Sequence, residues 1–156
     1  MERSSAQHWL CTAAPVLWML VIFVLSHQPA AVSSGQSGVI VGHLQQVMPG
    51  VSTAILTFLV RKSAHIIAYF ILGVLMYRAL RINICCWRAR TVASLALLSC
   101  SLYAVTDEIH QLFVPGRSGE LRDVMIDSVA ALVGVGLCAW MMRWRSLRKS
   151  TATNDR

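Results

Sequence analysis

The sequence predicts an all-α membrane protein, a bundle of four transmembrane helices with both termini in the cytoplasm. The chain of 156 residues is 56% hydrophobic and 13% charged, whereas soluble proteins carry roughly 25% charged residues. Its mean hydropathy is +0.58, and several uncharged apolar runs approach or reach the span of about 17–25 residues that a bilayer requires. The lysine and arginine residues fall mostly on one side of the resulting topology.

The first predicted span covers residues 9–26, an uncharged run of 18 residues. Pro15 lies inside it, and a helix in lipid tolerates proline. The alternative is a cleaved signal peptide, because Arg3 precedes the run and small residues follow at Ala30 and Ala31. The run is longer than a usual signal core and its amino-terminal region is weakly basic, so the sequence favours an uncleaved helix.

Residues 28–50 carry two prolines, four glycines and three serines. This composition is typical of a loop, and we expect one short helix around residues 39–48. The segment is too short to form a domain of its own.

The second predicted span covers residues 63–80. The apolar run of residues 51–60 precedes it, and Arg61 and Lys62 separate the two. Neither half reaches a full span alone. We expect the second half to cross the membrane, while residues 51–60 either lie along the membrane surface or extend the helix outward.

The third and fourth spans are predicted at residues 91–107 and 124–142. Asp107 and Glu108 end the third run, and a basic, polar cytoplasmic tail follows the fourth at residues 143–156. No repeat interrupts the chain, so residues 1–156 are expected to form a single membrane domain.

The orientation follows from the positive-inside rule, which counts Lys and Arg in short loops. With both termini cytoplasmic, ten of the 14 basic residues lie inside: Arg3, Arg78, Arg81, Arg88, Arg90, Arg143, Arg145, Arg148, Lys149 and Arg156. The other four lie outside: Arg61, Lys62, Arg117 and Arg122. The net charge of +7 is therefore a topology signal with an attraction to anionic lipid heads. Nucleic acid is not an expected partner, because no soluble domain offers a basic face.

Acidic residues are concentrated in residues 107–127, which hold five of the seven in the chain. In the predicted topology this stretch lies on the outer side, together with Arg61 and Lys62. Ionisable groups near a membrane helix are expensive and normally face the bundle interior in pairs. The pattern predicts a polar cluster at the outer mouth of the bundle.

Helical spacing groups the residues of this cluster. Lys62, His65, Tyr69 and Gly73 are three or four residues apart and form one stripe, in which the glycine permits close helix contact. Asp107 lies four residues before Gln111 and shares its face; Glu108, three residues before Gln111, lies on the same face.

Between spans three and four, Pro115 and Gly116 are typical of a turn and would place Arg117 at its tip. Asp123 can cap the fourth helix. Asp127 lies one turn deeper and needs a basic partner.

At this point the residues resemble the VanZ-like family of bacterial membrane proteins. The similar strings are RKSAHIIAYFILG (61–73), TDEIHQLFVPGRSGELRDVMIDSVAALVG (106–134) and FVLSHQPAAVSSGQS (23–37). The resemblance implies a multi-pass protein of the bacterial cytoplasmic (inner) membrane, part of the cell envelope. It also implies an association with glycopeptide (teicoplanin) resistance, but it implies no defined reaction.

The hypothesis for function is an outer-face site that binds or alters a lipid-linked or phosphate-bearing envelope substrate, such as an anionic or prenyl-phosphate lipid. Basic groups would hold the phosphate, and His65, Asp107 and Glu108 are the candidates for acid–base catalysis. The predicted binding residues are Arg61, Lys62, His65, Tyr69, Asp107, Glu108, Gln111, Arg117, Asp123 and Asp127.

Three alternatives stay open. The polar cluster could be a structural ion-pair network in a non-enzymatic module that packs on a membrane protein partner. A divalent ion on Asp107, Glu108, His110, Asp123 and Asp127 has oxygen ligands but no tight motif, so no metal and no cofactor is predicted. A small transporter would require oligomers, since four spans make a narrow conduit.

Overall fold

The computed structural model describes residues 5–84 and 86–154, and these residues form five helices. They are α1 (Ser5–Ser26), α2 (Ala30–Val47), α3 (Thr53–Asn83), α4 (Ala89–Gln111) and α5 (Leu121–Asn154). The described part of the chain holds no strand. Arg3, Arg156 and the side chain of Lys149, which the orientation prediction counts, lie outside the described residues.

Four of the helices are long and apolar enough to cross a membrane, at Trp9–Ser26, Thr53–Asn83, Ala89–Gln111 and Leu121–Arg148. Their outward faces are apolar, as a lipid environment requires: Leu17, Val24, Leu102 and Val129 are each more than half exposed. The predicted all-α bundle with four spans is confirmed.

The four spanning helices alternate in direction. The side chain of Asn83 at the end of α3 donates to Thr12 near the start of α1, and Ser26 at the end of α1 contacts Asp107 near the end of α4. The described chain ends therefore lie at one end of the bundle. The α4–α5 connection lies at the other end, which we call the polar end.

Helix α2 corrects the prediction of a loop with one short helix at residues 39–48. The segment is a helix of 18 residues that begins directly after Pro29, a residue whose fixed φ suits a helix start. Its glycines lower the intrinsic helix propensity, but α2 packs on α3 and buries Val41 and Ser37. Tertiary packing outweighs composition here.

Helix α3 is continuous through Arg61 and Lys62 and spans 31 residues. Of the two arrangements considered for residues 51–60, the structure has the extended helix, in which Ser52 accepts a capping hydrogen bond from the Ile55 amide. Arg and Lys are good helix formers, so these two residues interrupt the apolar run of the sequence without interrupting the helix. Helix α5 likewise continues to Asn154, through the segment predicted as a polar tail.

The core lies where α3, α4 and α5 meet. Tyr69 and Leu72 of α3 are fully buried against Cys100 and Ala104 of α4 and Ala131 of α5. Small residues on α4 and α5 let the helices approach closely, which is how helices associate in lipid. Close packing here fixes the relative positions of the side chains at the polar end.

Candidate functional site

Helix α3 contributes a stripe of polar side chains that faces α4 and α5. Lys62 forms an ion pair with Asp123 of α5, and His65 Nδ1 lies 3.6 Å from Asp127 Oδ2. One turn further along, Tyr69 donates to Asp107 Oδ2 at 3.4 Å. The spacing of three and four residues therefore gives each member of the stripe a carboxylate across the helix interface.

Asp107 is the point where three helices meet. Its Oδ2 accepts hydrogen bonds from Ser26 of α1 at 3.0 Å, from Tyr69 of α3 at 3.4 Å, and from Gln111 of α4 at 3.3 Å. The side chain is 3% exposed, and Oδ1 has no hydrogen-bond partner in the described part of the chain. A buried carboxylate with this many donors holds the helices together at the polar end.

Glu108 fixes the connection between α4 and α5. Its Oε2 accepts from the Glu120 amide at 2.8 Å, just before α5 begins, and its Oε1 accepts from Gln111 at 3.4 Å. Asp123 does not cap α5, contrary to prediction: it lies inside the first turn. There its negative charge still favours the positive end of the helix dipole, while its Oδ2 pairs with Lys62.

Arg117 follows a tight turn and reaches back to α1. Gly116 has a φ of 74°, the left-handed conformation that glycine adopts without strain. The Arg117 guanidinium donates to the backbone carbonyls of Gln28 at 3.0 Å and Leu25 at 3.2 Å, and to Gln111 Oε1 at 3.5 Å. Leu25 lies in the last turn of α1 and Gln28 two residues beyond the helix, a position where a cation is favourable.

Arg61 lies close enough to Arg117 for their charges to interact. Burial lowers the pKa of Arg117 below its ordinary value, and the positive charge of Arg61 lowers it further. Neither guanidinium forms an ion pair with a carboxylate among the described residues. Two like charges that share one partly buried space repel each other unless an anion lies between them.

Two neighbouring cavities open at this position. The first, of about 210 Å³, is lined by α3, the α4–α5 connection and the start of α5; we call it the polar cavity. The second, of about 230 Å³, lies between α1, α2 and α3 and has mostly apolar walls; we call it the apolar cleft. Arg61, His65 and Arg117 line both.

Seven of the ten predicted binding residues line the polar cavity: Arg61, Lys62, His65, Gln111, Arg117, Asp123 and Asp127. The other three, Tyr69, Asp107 and Glu108, are buried and line neither cavity. Of the three catalytic candidates, only His65 therefore reaches the cavity wall. Asp127 beside it is 2% exposed, and its Oδ2 has no hydrogen-bond partner in the described part of the chain.

Sequence reasoning missed the contribution of α1. Ser26 binds Asp107, and the Gln28 carbonyl binds Arg117, yet neither residue was predicted for the site. Both belong to the SHQP string at 26–29, which lies inside one of the three strings that carry the family resemblance. That string was the available signal.

A metal site finds no support in the geometry. No group of three His, Cys, Asp or Glu side chains in the described residues is placed to hold an ion. His110, one of the residues considered for it, points away: its Nε2 lies 3.1 Å from His27 Nδ1 on an exposed seam between α1 and α4.

Fold and site together define a multi-pass α-helical membrane protein with a buried polar cluster at one end of the bundle. The family model described as VanZ/LLP1 matches residues 12–143, which is most of the chain and includes all ten predicted site residues. The chain belongs to the VanZ/LLP1 family, as the resemblance implied. Comparisons with curated proteins and with solved structures found no match.

Proposed function

We propose that the polar cavity binds the phosphate-bearing headgroup of an envelope lipid at the outer face of the bacterial inner membrane. One observation carries this proposal: Arg61 and Arg117 face the same two cavities, and neither forms an ion pair with a carboxylate of the described residues. Guanidinium groups bind phosphate through paired, charge-assisted hydrogen bonds. A phosphate between them would replace their repulsion by attraction.

The outward orientation is part of the proposal. The polar end lies opposite the described chain ends, and the basic residues predicted to be cytoplasmic are concentrated near those chain ends. The positive-inside rule assigns the basic-rich side to the cytoplasm. A link with tolerance to teicoplanin belongs to the same proposal and rests on the family resemblance.

For chemistry at a bound phosphate, we assign proton transfer to His65. It lines the polar cavity, and Asp127 lies 3.6 Å from its Nδ1, where a carboxylate can orient the ring and stabilise its protonated form. Asp107 and Glu108, the other two candidates, are assigned structural roles instead, because they line neither cavity.

The second candidate function is a non-enzymatic module whose polar cluster only holds the helices together. The hydrogen bonds of Asp107 to three helices favour it. Polar pairs between membrane helices contribute only about 0.6 kcal/mol on average. Such small contributions do not explain why two arginines share a cavity wall with no ion pair among the described residues, so we prefer the binding function.

Arg61→Gln is expected to weaken lipid-phosphate binding about ten- to hundredfold, since a charge-assisted hydrogen bond contributes about 1.5–3 kcal/mol. Native mass spectrometry of the purified protein with a lipid extract of its host membrane measures the adducts. Arg61 has no ion-pair partner among the described residues, so the fold should be unaffected.

Arg122→Gln is the matched control, because Arg122 is exposed and lines neither cavity. Arg117→Ala should lose the adduct as well. Identical adduct profiles for the wild type, Arg61→Gln and Arg117→Ala would contradict the binding function and favour the structural module.

A further inference from the structure

The apolar cleft differs from an ordinary lipid-facing groove because a charged group closes one of its ends. Ile22, Leu25, Ile40, Val60, Ala64 and Ala68 form its apolar walls, and Arg61 and Arg117 line it together with the polar cavity. The larger apolar cavity of about 470 Å³ between α3 and α5 has no charged lining residue. The cavity between α3 and α5 therefore has no charged group that could select one lipid over another.

The cleft has a closed floor. Trp18 of α1 donates from its ring nitrogen to the Ala68 carbonyl of α3 at 2.9 Å, and Ile22 above it is 3% exposed. Toward the membrane the walls are open, because Leu25 is 51% and Ile40 is 54% exposed. A hydrocarbon chain can therefore enter sideways from the bilayer between α1 and α2.

We infer that the ligand is a single-chain lipid phosphate, with its phosphate between Arg61 and Arg117 and the head-proximal part of its chain in the apolar cleft. This inference rests on the proposed function and names its substrate class. The two cavities share Arg61, His65 and Arg117, so head and chain of one molecule can occupy them together.

The volume of the cleft favours a lipid with a single hydrocarbon chain. Its volume of about 230 Å³ is below the range of roughly 300–1,000 Å³ for sites that enclose a whole small molecule. It accommodates the first part of one chain, and the remainder continues into the bilayer. A two-chain phospholipid would have to leave its second chain outside the cleft.

The test compares three phosphates by calorimetry on the full chain in a neutral detergent: inorganic phosphate, farnesyl phosphate and a short two-chain phosphatidate. Ala64→Trp should fill the cleft, since Ala64 lines it and is exposed. We expect farnesyl phosphate to bind this variant about tenfold more weakly, because a few methylene groups lose their apolar surroundings. Binding of inorganic phosphate should not change.

Leu59→Trp is the matched control on the same helix, at an exposed position that lines neither cavity, and it should bind farnesyl phosphate as the wild type does. Ile40→Trp narrows the cleft from α2 and should reproduce the effect of Ala64→Trp. Phosphatidate should bind more weakly than farnesyl phosphate, because only one of its two chains can enter the cleft.

Three results would overturn the inference while the anion site stands: unchanged farnesyl phosphate binding in both cleft variants, phosphatidate binding as tight as that of farnesyl phosphate, or an equal loss of inorganic phosphate and farnesyl phosphate in Ala64→Trp. Failure of the wild type to bind any of the three phosphates would instead overturn the proposed function, and the inference with it.

Discussion

Replacing Gly73 or Gly134 with leucine is expected to abolish accumulation of the folded protein in the membrane. A Cβ atom at Gly73 would overlap the backbone carbonyl of Ala131, and one at Gly134 would overlap the backbone carbonyl of Phe70. The obstacle is backbone in both cases, so no side chain can rotate away. The helices α3 and α5 would have to separate, at a cost of at least about 3 kcal/mol.

The chain offers a matched control for this prediction. Gly136 lies on the same helix as Gly134, but a Cβ atom there meets nothing within 4 Å. Gly136→Leu should therefore accumulate and melt like the wild type. For all three variants, we would measure the amount of folded protein extracted from the membrane into detergent and then its thermal unfolding. Normal stability of Gly73→Leu would mean that α3 and α5 do not cross as closely as the structure has them.

The close approach of α3 and α5 was partly predictable. The stripe of Lys62, His65, Tyr69 and Gly73 follows from helical spacing alone, because residues three or four apart share a face. Its direction toward the bundle interior follows from the cost of ionisable groups in lipid. Which residues lie opposite does not follow, because an apolar helix offers several equivalent faces to a neighbour.

Helix α2 could not be predicted from local sequence. Its glycines and serines disfavour a helix in isolation, and the packing that stabilises it is on another helix, α3. The same limit applies to Arg117. A turn was predictable from Pro115 and Gly116, but its hydrogen bonds to the end of α1 cross 89 and 92 residues of sequence.

The polar cluster has two layers, and the structural interpretation applies to one of them and the ligand-binding interpretation to the other. The deeper layer of Tyr69, Asp107 and Glu108 is buried and hydrogen-bonded within the bundle. The upper layer lines the polar cavity and holds Arg61 and Arg117, which form no ion pair among the described residues. Structural support and ligand binding are therefore compatible, with the deeper layer positioning the residues of the upper one.

Asp107→Ala is expected to destabilise the protein strongly, and Asp107→Asn only slightly. Alanine would leave the Ser26 and Tyr69 hydroxyls without their carboxylate acceptor, whereas the Gln111 amide keeps its hydrogen bond to Glu108. A buried polar group left unpaired costs about 1–3 kcal/mol, so the loss should amount to about 2–5 kcal/mol. Each hydrogen bond by itself contributes little in a membrane. Most of the lost stability therefore comes from leaving buried donors unpaired.

Asparagine keeps an oxygen that can accept the same hydrogen bonds. Its amide nitrogen would take the position of Oδ1, which has no partner in the described part of the chain, and removal of a buried charge offsets part of any loss. We expect Asp107→Asn to unfold within about 1 kcal/mol of the wild type and to bind farnesyl phosphate equally well. Ser26→Ala, which removes a single donor, serves as the intermediate case.

Thermal unfolding and farnesyl phosphate binding, measured on the same preparations, separate the two roles of this carboxylate. Loss of both properties in Asp107→Ala and neither in Asp107→Asn identifies Asp107 as a structural residue that positions the cavity walls. If Asp107→Asn instead folds normally but no longer binds farnesyl phosphate, the charge itself acts on the ligand. Asp107 would then belong to the binding site, and the division into two layers would be wrong.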